Sequence, residues 1–272
     1  MAIARERVRH ALSVRRVEVA GTREVAPGML RITVAGEELA GFASDGPADH
    51  VKLFLPDAEG RLIAPSNGPG DTIAPSPDGP GISRDYTPAA FRPAPGGGEL
   101  DLDFFLHEGG GPAMDWARSA RPGSRLAIAG PRGSLLPPTG ADRVVLVGDE
   151  TAFPAIARWL DAIEESVLVT CLLTAGDPGI RSYLDGRIDR ASEARWFEPG
   201  EGAALEEALR GIAFTESTFA FLAGDADALV PLRRHLRREL GLAREQVQAS
   251  GYWRAGVVAL DHHAPVDPSD PD

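Results

Sequence analysis

Cysteine is nearly missing from this chain: Cys171 stands alone in the apolar run VLVTCLL. It can close no internal disulfide, and one thiolate supplies neither a cysteine zinc site nor an iron–sulfur cluster. Burial as a small hydrophobe is the expectation for it. Lysine is as scarce, with Lys52 set against 27 arginines. Positive charge falls short overall, since 28 Lys and Arg face 40 Asp and Glu, for a net charge of -12 and a pI near 5.0. That balance excludes a general nucleic-acid or anionic-membrane binder, which needs a positive field, and leaves room for a local basic pocket. No run approaches the roughly 20 apolar residues of a membrane span. The opening MAIARERVRH is rich in charge and leads into no apolar segment. Neither a secretory signal nor membrane insertion is therefore expected, and the default compartment is the cytosol.

Apolar residues make up 43% of 272 positions, enough to fill two cores of ordinary size. The first half reads as short strands between turn residues: LSVRRVEVA (12–20), MLRITVA (29–35), HVKLFLP (50–56), ELDLDFFLH (99–107) and SRLAIAG (124–130). The Pro- and Gly-rich stretch 64–82 reads as a mobile loop. PAMDWARSA reads as a helix with Pro112 in its first turn, where the missing N–H is harmless. Beyond 137, strands such as RVVLVG, SVLVTCLLTA and TFAFLAG alternate with helical patterns, which predicts a mostly parallel sheet with its ligand at the carboxyl ends of the strands. In the last helix Leu229, Leu232, Leu236 and Leu240 form the apolar stripe and Arg233, Arg234, Arg237 and Arg238 read as outward. The expected organisation is an N-terminal antiparallel Greek-key β-barrel over 1–137, a C-terminal α/β Rossmann-like domain over 138–260, and a disordered acidic tail over 261–272 carrying His262 and His263.

Three stretches carry chemistry. In SRDYTPAAF (83–91), alternation along a strand puts Arg84 and Tyr86 on one side and Thr87 on the other. That set offers a flavin a guanidinium for its diphosphate, a flat surface for its ring and a hydroxyl donor. In FFLHEGGGPAMDWA (104–117), Gly109, Gly110 and Gly111 let the backbone approach a ligand, and the first turn of the following helix offers N–H groups to phosphate. In VLVGDETAFPAI (145–156) a strand turns into a helix through one glycine, Gly148, and two carboxylates, Asp149 and Glu150. Carboxylates compete with phosphate for the N–H groups there, so a nicotinamide end, rather than a diphosphate, is expected at this turn.

The order and spacing of DHVKLFLP, RDYTP, the H...GPAxxWA pattern, PGSRLAIAGPRGS, GDETAFPAI, AGDADAL and GYWRAG resemble the siderophore-interacting protein family over nearly the whole chain. This is the family of flavin-dependent ferric-siderophore reductases within the ferredoxin-reductase-like superfamily. The resemblance implies FAD at Arg84, Tyr86, Thr87, His107, Gly111, Pro112, Ala113 and Trp116. It implies NADPH or NADH at Asp149, Glu150, Thr151, Ala152, Gly224, Asp225, Trp253 and Arg254, with Tyr252 in the same terminal signature. A ferric siderophore is the implied substrate, and Lys52, Arg132 and Arg254 are the candidate cations for it. No resident metal and no acid–base array is expected, because a flavin converts a two-electron hydride donor into one-electron steps for Fe(III). Ferredoxin is an alternative donor, and a monomer is the expected state. One departure stands out: after YTP the family often carries a basic residue, where this chain has Ala89 and Ala90, with Arg92 the nearest substitute. A non-catalytic siderophore- or flavin-binding protein and a general flavin or ferredoxin reductase are the competing readings.

Overall fold

The structure, a computed structural model, describes residues 3–107 and 110–271. Gly109 lies outside the described residues. Internal contacts divide the chain into two compact units, Arg7–Leu136 and a second that runs from Pro137 onward and takes in the segment ending at Glu6.

The first unit contains β1 (Arg7–Arg9), β2 (Val14–Ala26), β3 (Met29–Ala35), β4 (Val51–Leu55), β5 (Ser66–Asn67), β6 (Ile73–Ala74), β7 (Ile82–Tyr86), β8 (Pro88–Ala94), β9 (Gly97–Phe105), α1 (Pro112–Ser119), β10 (Arg125–Ala129) and β11 (Gly133–Leu135). Seven of these strands pair antiparallel in the order β7-β4-β10-β2-β3-β9-β8. β7 and β8 lie at opposite edges of that order, yet only the buried Thr87 separates them in sequence. The sheet must therefore curl until its two edges approach, which makes the expected barrel, with Thr87 at its seam. Period-2 alternation sends Val17, Ile32, Leu53, Leu102 and Phe104 inward, and α1 adds Met114 and Trp116 to the same core. Each such burial contributes about 1.5–3 kcal/mol.

Two expectations change here. β8 was not legible as a strand because Pro88 and Pro93 interrupt it; as an edge strand it tolerates both. The stretch 64–82 contains the β5–β6 hairpin and is tied down. Asn67 Oδ1 accepts from the Val14 amide at 2.7 Å, Asn67 Nδ2 donates to the Val14 carbonyl at 2.9 Å, and Ile73 packs beside Val14, Ala127 and Ala129.

The second unit contains β12 (Arg143–Gly148), α2 (Phe153–Ala162), β13 (Leu168–Thr174), β14 (Glu193–Phe197), α3 (Gly202–Arg210), β15 (Thr218–Asp225), α4 (Ala226–Arg234) and β16 (Val247–Trp253). Its five strands are all parallel, in the order β14-β13-β12-β15-β16. β12 and β15 are buried on both faces, which is why VVLV and FAFLA are continuous apolar runs. The order reverses between β12 and β15, and at such a switch point ligands bind beyond the carboxyl ends of the strands. Cys171 is buried on β13, and burial pushes its thiol up to about 12.

The tail is a correction. Residues 261–271 lie against α4 and the turn that follows it: Asp267 accepts from Arg234 Nε at 2.5 Å, Asp270 accepts from Arg233 at 3.2 Å and pairs with Arg238, and Val266 joins the core beside Leu229, Leu232 and Leu236. Arg233 is accordingly buried rather than outward. The arginine run supplies counter-charges that composition alone did not match to the acidic tail.

Candidate functional site

In the first unit, β4 and β7 pair so that Val51 faces Tyr86, Lys52 faces Asp85 and Leu53 faces Arg84. Tyr86 is half-buried, its ring centroid 4.2 Å from that of Phe104, and burial raises its phenol above the ordinary range. The Arg84 guanidinium donates to the Ser83 carbonyl at 2.7 Å and pairs with no carboxylate among the described residues. Next along the chain, the Thr87 hydroxyl is given no hydrogen-bond partner by the chain's own described residues. Beside the edge strand β8, β9 runs out into His107, which is exposed and whose carbonyl accepts from Arg118 at 2.8 Å. Gly110 and Gly111 then take φ of 64° and 115°, a region that disfavours other residues, and a Cβ on either would meet nothing within 4 Å.

α1 starts immediately after, with Pro112 in its first turn and, among the described residues, no side chain capping its amides. Asp115 is the acid in that first turn and is exposed. Ala113 and Trp116 pack into the core, Trp116 with its ring 5.9 Å from Phe104. Apart from the exposed Asp115, the groups left open around this turn are donors: a guanidinium, a hydroxyl and helix N–H groups. That chemistry fits a diphosphate and a flavin ring edge. Arg92, the candidate replacement for a missing cation at Ala89 and Ala90, is committed elsewhere. It donates to Asp101 at 2.7 and 2.8 Å and to Glu99 at 3.2 Å. Arg84, by contrast, is held by no carboxylate among the described residues.

The second unit treats its strand-to-helix turn differently. Asp149 Oδ1 accepts from the Thr151 amide at 2.9 Å and from its hydroxyl at 2.5 Å, while Oδ2 accepts from the Asp225 amide at 2.8 Å and from Trp253 Nε1 at 2.9 Å. One carboxylate thus ties together the ends of β12, β15 and β16. Glu150, buried, accepts from the Gly176 amide at 2.6 Å and so fastens the segment leaving β13; burial raises its carboxyl above the usual range. The glycines follow from these contacts. A Cβ at Gly224, whose φ is 132°, would lie 2.4 Å from Asp149 Oδ2, and one at Gly148 would lie 2.8 Å from the Ala152 Cβ. Asp225 caps α4 by accepting from the Asp227 amide at 3.1 Å, and burial raises its carboxyl.

Trp253 remains 41% exposed above this network, an aromatic face beside the strand ends. Tyr252, next to it, is half-buried. Missed by sequence reasoning were Gly176, the partner of Glu150, and Trp196 on β14, which meets Phe153 edge-on at 5.9 Å. The alternation in ARWF was the available signal for Trp196.

The three cations expected to hold an anionic substrate differ in their commitments. Lys52 is neutralised by Asp85 at 2.9 Å. Arg254 is held by Asp227 at 2.8 Å and by the Val266 carbonyl at 3.0 Å. Arg132 is exposed and makes no ion pair among the described residues; it stands three residues beyond Ala129, the ladder partner of Lys52.

A curled antiparallel sheet with an open, donor-lined turn, followed by a five-stranded parallel sheet, defines the ferredoxin-reductase-like fold class. The FAD/NAD-binding domain of nitric oxide dioxygenase from Vibrio cholerae shares that fold at 13% identity, with a TM-score of 0.63 over 88% of this chain and 98% of that one. Within the class, the chain belongs to the siderophore-interacting protein family: residues 18–135 match the siderophore-interacting FAD-binding domain and residues 141–256 match the siderophore-interacting protein model. It is 32% identical to the NADPH-dependent ferric-chelate reductase of Escherichia coli, over 92% of this chain and 96% of that protein. It is 30% identical to the ferric vibriobactin reductase of Vibrio cholerae, over 88% and 89%. The crystal structure of a siderophore utilization protein from T. fusca superposes with a TM-score of 0.85 at 37% identity, covering 96% of this chain and all of that one.

Proposed function

We propose that the protein is an FAD-dependent ferric-siderophore reductase that takes electrons from NADPH and releases iron as Fe(II). The observation that carries this reading is the donor-rich cradle of the first unit, where, among the described residues, Arg84 meets no carboxylate, the Thr87 hydroxyl has no hydrogen-bond partner and α1 has no side-chain cap. The similarity to proteins named as an NADPH-dependent ferric-chelate reductase and a ferric vibriobactin reductase supplies the substrate class. Bound FAD would supply the conversion between a two-electron hydride donor and a one-electron metal acceptor.

The chain's own residues position and select. Arg84 and the first amides of α1 would hold the diphosphate, Tyr86 would offer the ring a flat wall, and Thr87 would donate a hydrogen bond. Asp149 and Glu150 brace the strand ends so that the nicotinamide meets a rigid, partly aromatic surface at Trp253. Arg132, the uncommitted cation of the three candidates, would attract an anionic ferric complex, with Lys52 tempered by Asp85. NADPH is a soluble cytosolic reductant, so the activity belongs in that compartment. With Arg92 committed to Asp101, FAD should be held loosely and be partly lost on purification.

The test is an anaerobic visible spectrum of the FAD-reconstituted protein, before and after NADPH and then after a ferric siderophore, with Fe(II) trapped by a chromogenic chelator. Bleaching by NADPH followed by recovery on adding iron supports the reading. Flavin that binds and stays oxidised under NADPH sinks the choice of donor in favour of ferredoxin, and a protein that binds no FAD sinks the reading itself.

A further inference from the structure

The end of the second strand of a dinucleotide-binding sheet is where the adenosine ribose is read, an acid suiting a 2′-hydroxyl and an arginine a 2′-phosphate. Here that strand is β13, and the 3-10 turn Pro178–Leu184 follows it. Three arginines lie on the segment after β13, and their commitments differ. Arg187 is clamped by Asp161, Nε to the two carboxylate oxygens at 3.0 and 2.9 Å. Arg190 donates to the Ile163 carbonyl at 2.9 Å.

Arg181 has neither kind of partner among the described residues. Its guanidinium carbon lies 5.0 Å from the ring centroid of Trp196, and its buried Nε has no hydrogen-bond acceptor. Trp196 sits near the carboxyl end of β14, paired in register with Leu173 of β13, so the pair stands at the edge of the sheet where a ligand would arrive. Stacking on an aromatic ring uses the face of a guanidinium and, with Nε buried, leaves the two terminal Nη groups for bidentate contact with phosphate. Neighbouring acids do not compete: Asp177 accepts from the Gly179 amide at 2.7 Å, and Glu150 from the Gly176 amide at 2.6 Å. Arg195 is the remaining cation nearby, but it lies over Phe197 on the opposite face of β14.

We infer that Arg181, stacked on Trp196, receives the 2′-phosphate of NADPH and sets the preference for NADPH over NADH. This rests on the reductase reading above and assigns a specificity-determining residue to it. The experiment is calorimetric titration of the FAD-reconstituted protein with adenosine 2′,5′-bisphosphate and with AMP, in the unmodified protein and in Arg181→Ala, Arg181→Lys, Arg187→Ala and Arg195→Ala.

Losing one charge-assisted phosphate contact should weaken bisphosphate binding about 10- to 100-fold. AMP binding in Arg181→Ala should be unchanged, which also reports that the variant is folded. The NADPH-to-NADH ratio of kcat/KM should fall in parallel, through KM, with partial recovery in Arg181→Lys and no change in Arg187→Ala. A bisphosphate preference that survives Arg181→Ala, or that vanishes in Arg195→Ala instead, overturns the assignment. If the unmodified protein binds neither nucleotide and NADPH leaves its flavin oxidised, the reductase reading fails and takes this inference with it; if NADPH still bleaches the flavin, only the Arg181 assignment is at stake.

Discussion

Two strand-to-helix turns in this protein are built from the same backbone feature and finished in opposite ways. Where the chain enters α1 the described residues leave it open: two glycines at positive φ, a proline, and amides with no side-chain cap. The turn from β12 into α2 is closed, its donors taken by Asp149 and the adjoining segment fastened by Glu150. A helix N-terminus carries partial positive charge and unpaired N–H groups wherever it occurs. Whether it serves binding or bracing is decided by what the chain places beside it. Glycines leave room for a phosphate from outside, whereas carboxylates supply the anion from within, which turns the second unit's strand ends into a rigid frame.

The largest effect is expected from opening the closed turn. Asp149→Ala removes the acceptor shared by the Thr151 amide and hydroxyl, the Asp225 amide and Trp253 Nε1. Leaving several donors without their charged partner should cost about 3 kcal/mol in denaturant unfolding of the second unit. FAD titration should stay as in the unmodified protein, because the open turn is untouched. A loss under about 1 kcal/mol would mean that water replaces the carboxylate readily and that the frame is not built on Asp149.

Next comes the open turn's cation. Arg84→Ala deletes a guanidinium that no carboxylate among the described residues neutralises. FAD affinity, followed by flavin fluorescence, should fall about 10- to 100-fold, with the thermal midpoint of the FAD-free protein little changed. The same substitution at Arg92 should do the reverse. Arg92 is bound to Asp101, whose carboxyl it and Arg31 hold below the usual range against the opposing effect of burial. Arg92→Ala should therefore lower stability and spare flavin affinity. Equal flavin loss in both variants would erase the distinction drawn between a committed and an open arginine.

Much of the frame was legible and much of the bracing was not, for one physical reason. β3, β4 and β9 announce themselves through alternation, and α1 through Pro112 and its spacing, because these signals lie within a few residues of each other. Asp149 was recognisable as an anion at a helix start. Its partners Asp225 and Trp253, however, lie 76 and 104 positions away and are brought in only by the parallel sheet. Lys52 reads as a lone cation until the β4–β7 ladder sets Asp85 against it. The tail misleads in the same way, since its acids look like disorder until the arginines around α4 are placed beside them.

The smallest effect sharpens the comparison from within the closed turn. Glu150 is buried and its carboxyl is raised by desolvation, with Asp149 adding in the same direction and the Gly176 N–H opposing. A carboxyl raised in the folded state is a liability once ionised. Below the unfolded-state value both states hold the proton and no penalty exists; as pH rises, the unfolded chain ionises first, so stability drains away until the folded group ionises as well. Glu150→Gln keeps an oxygen for the Gly176 amide and removes the charge. The variant should melt about 1–3 °C higher at neutral pH, with the gain shrinking to nothing below roughly pH 4. A difference that is the same across that range would mean that Glu150 acts through shape alone.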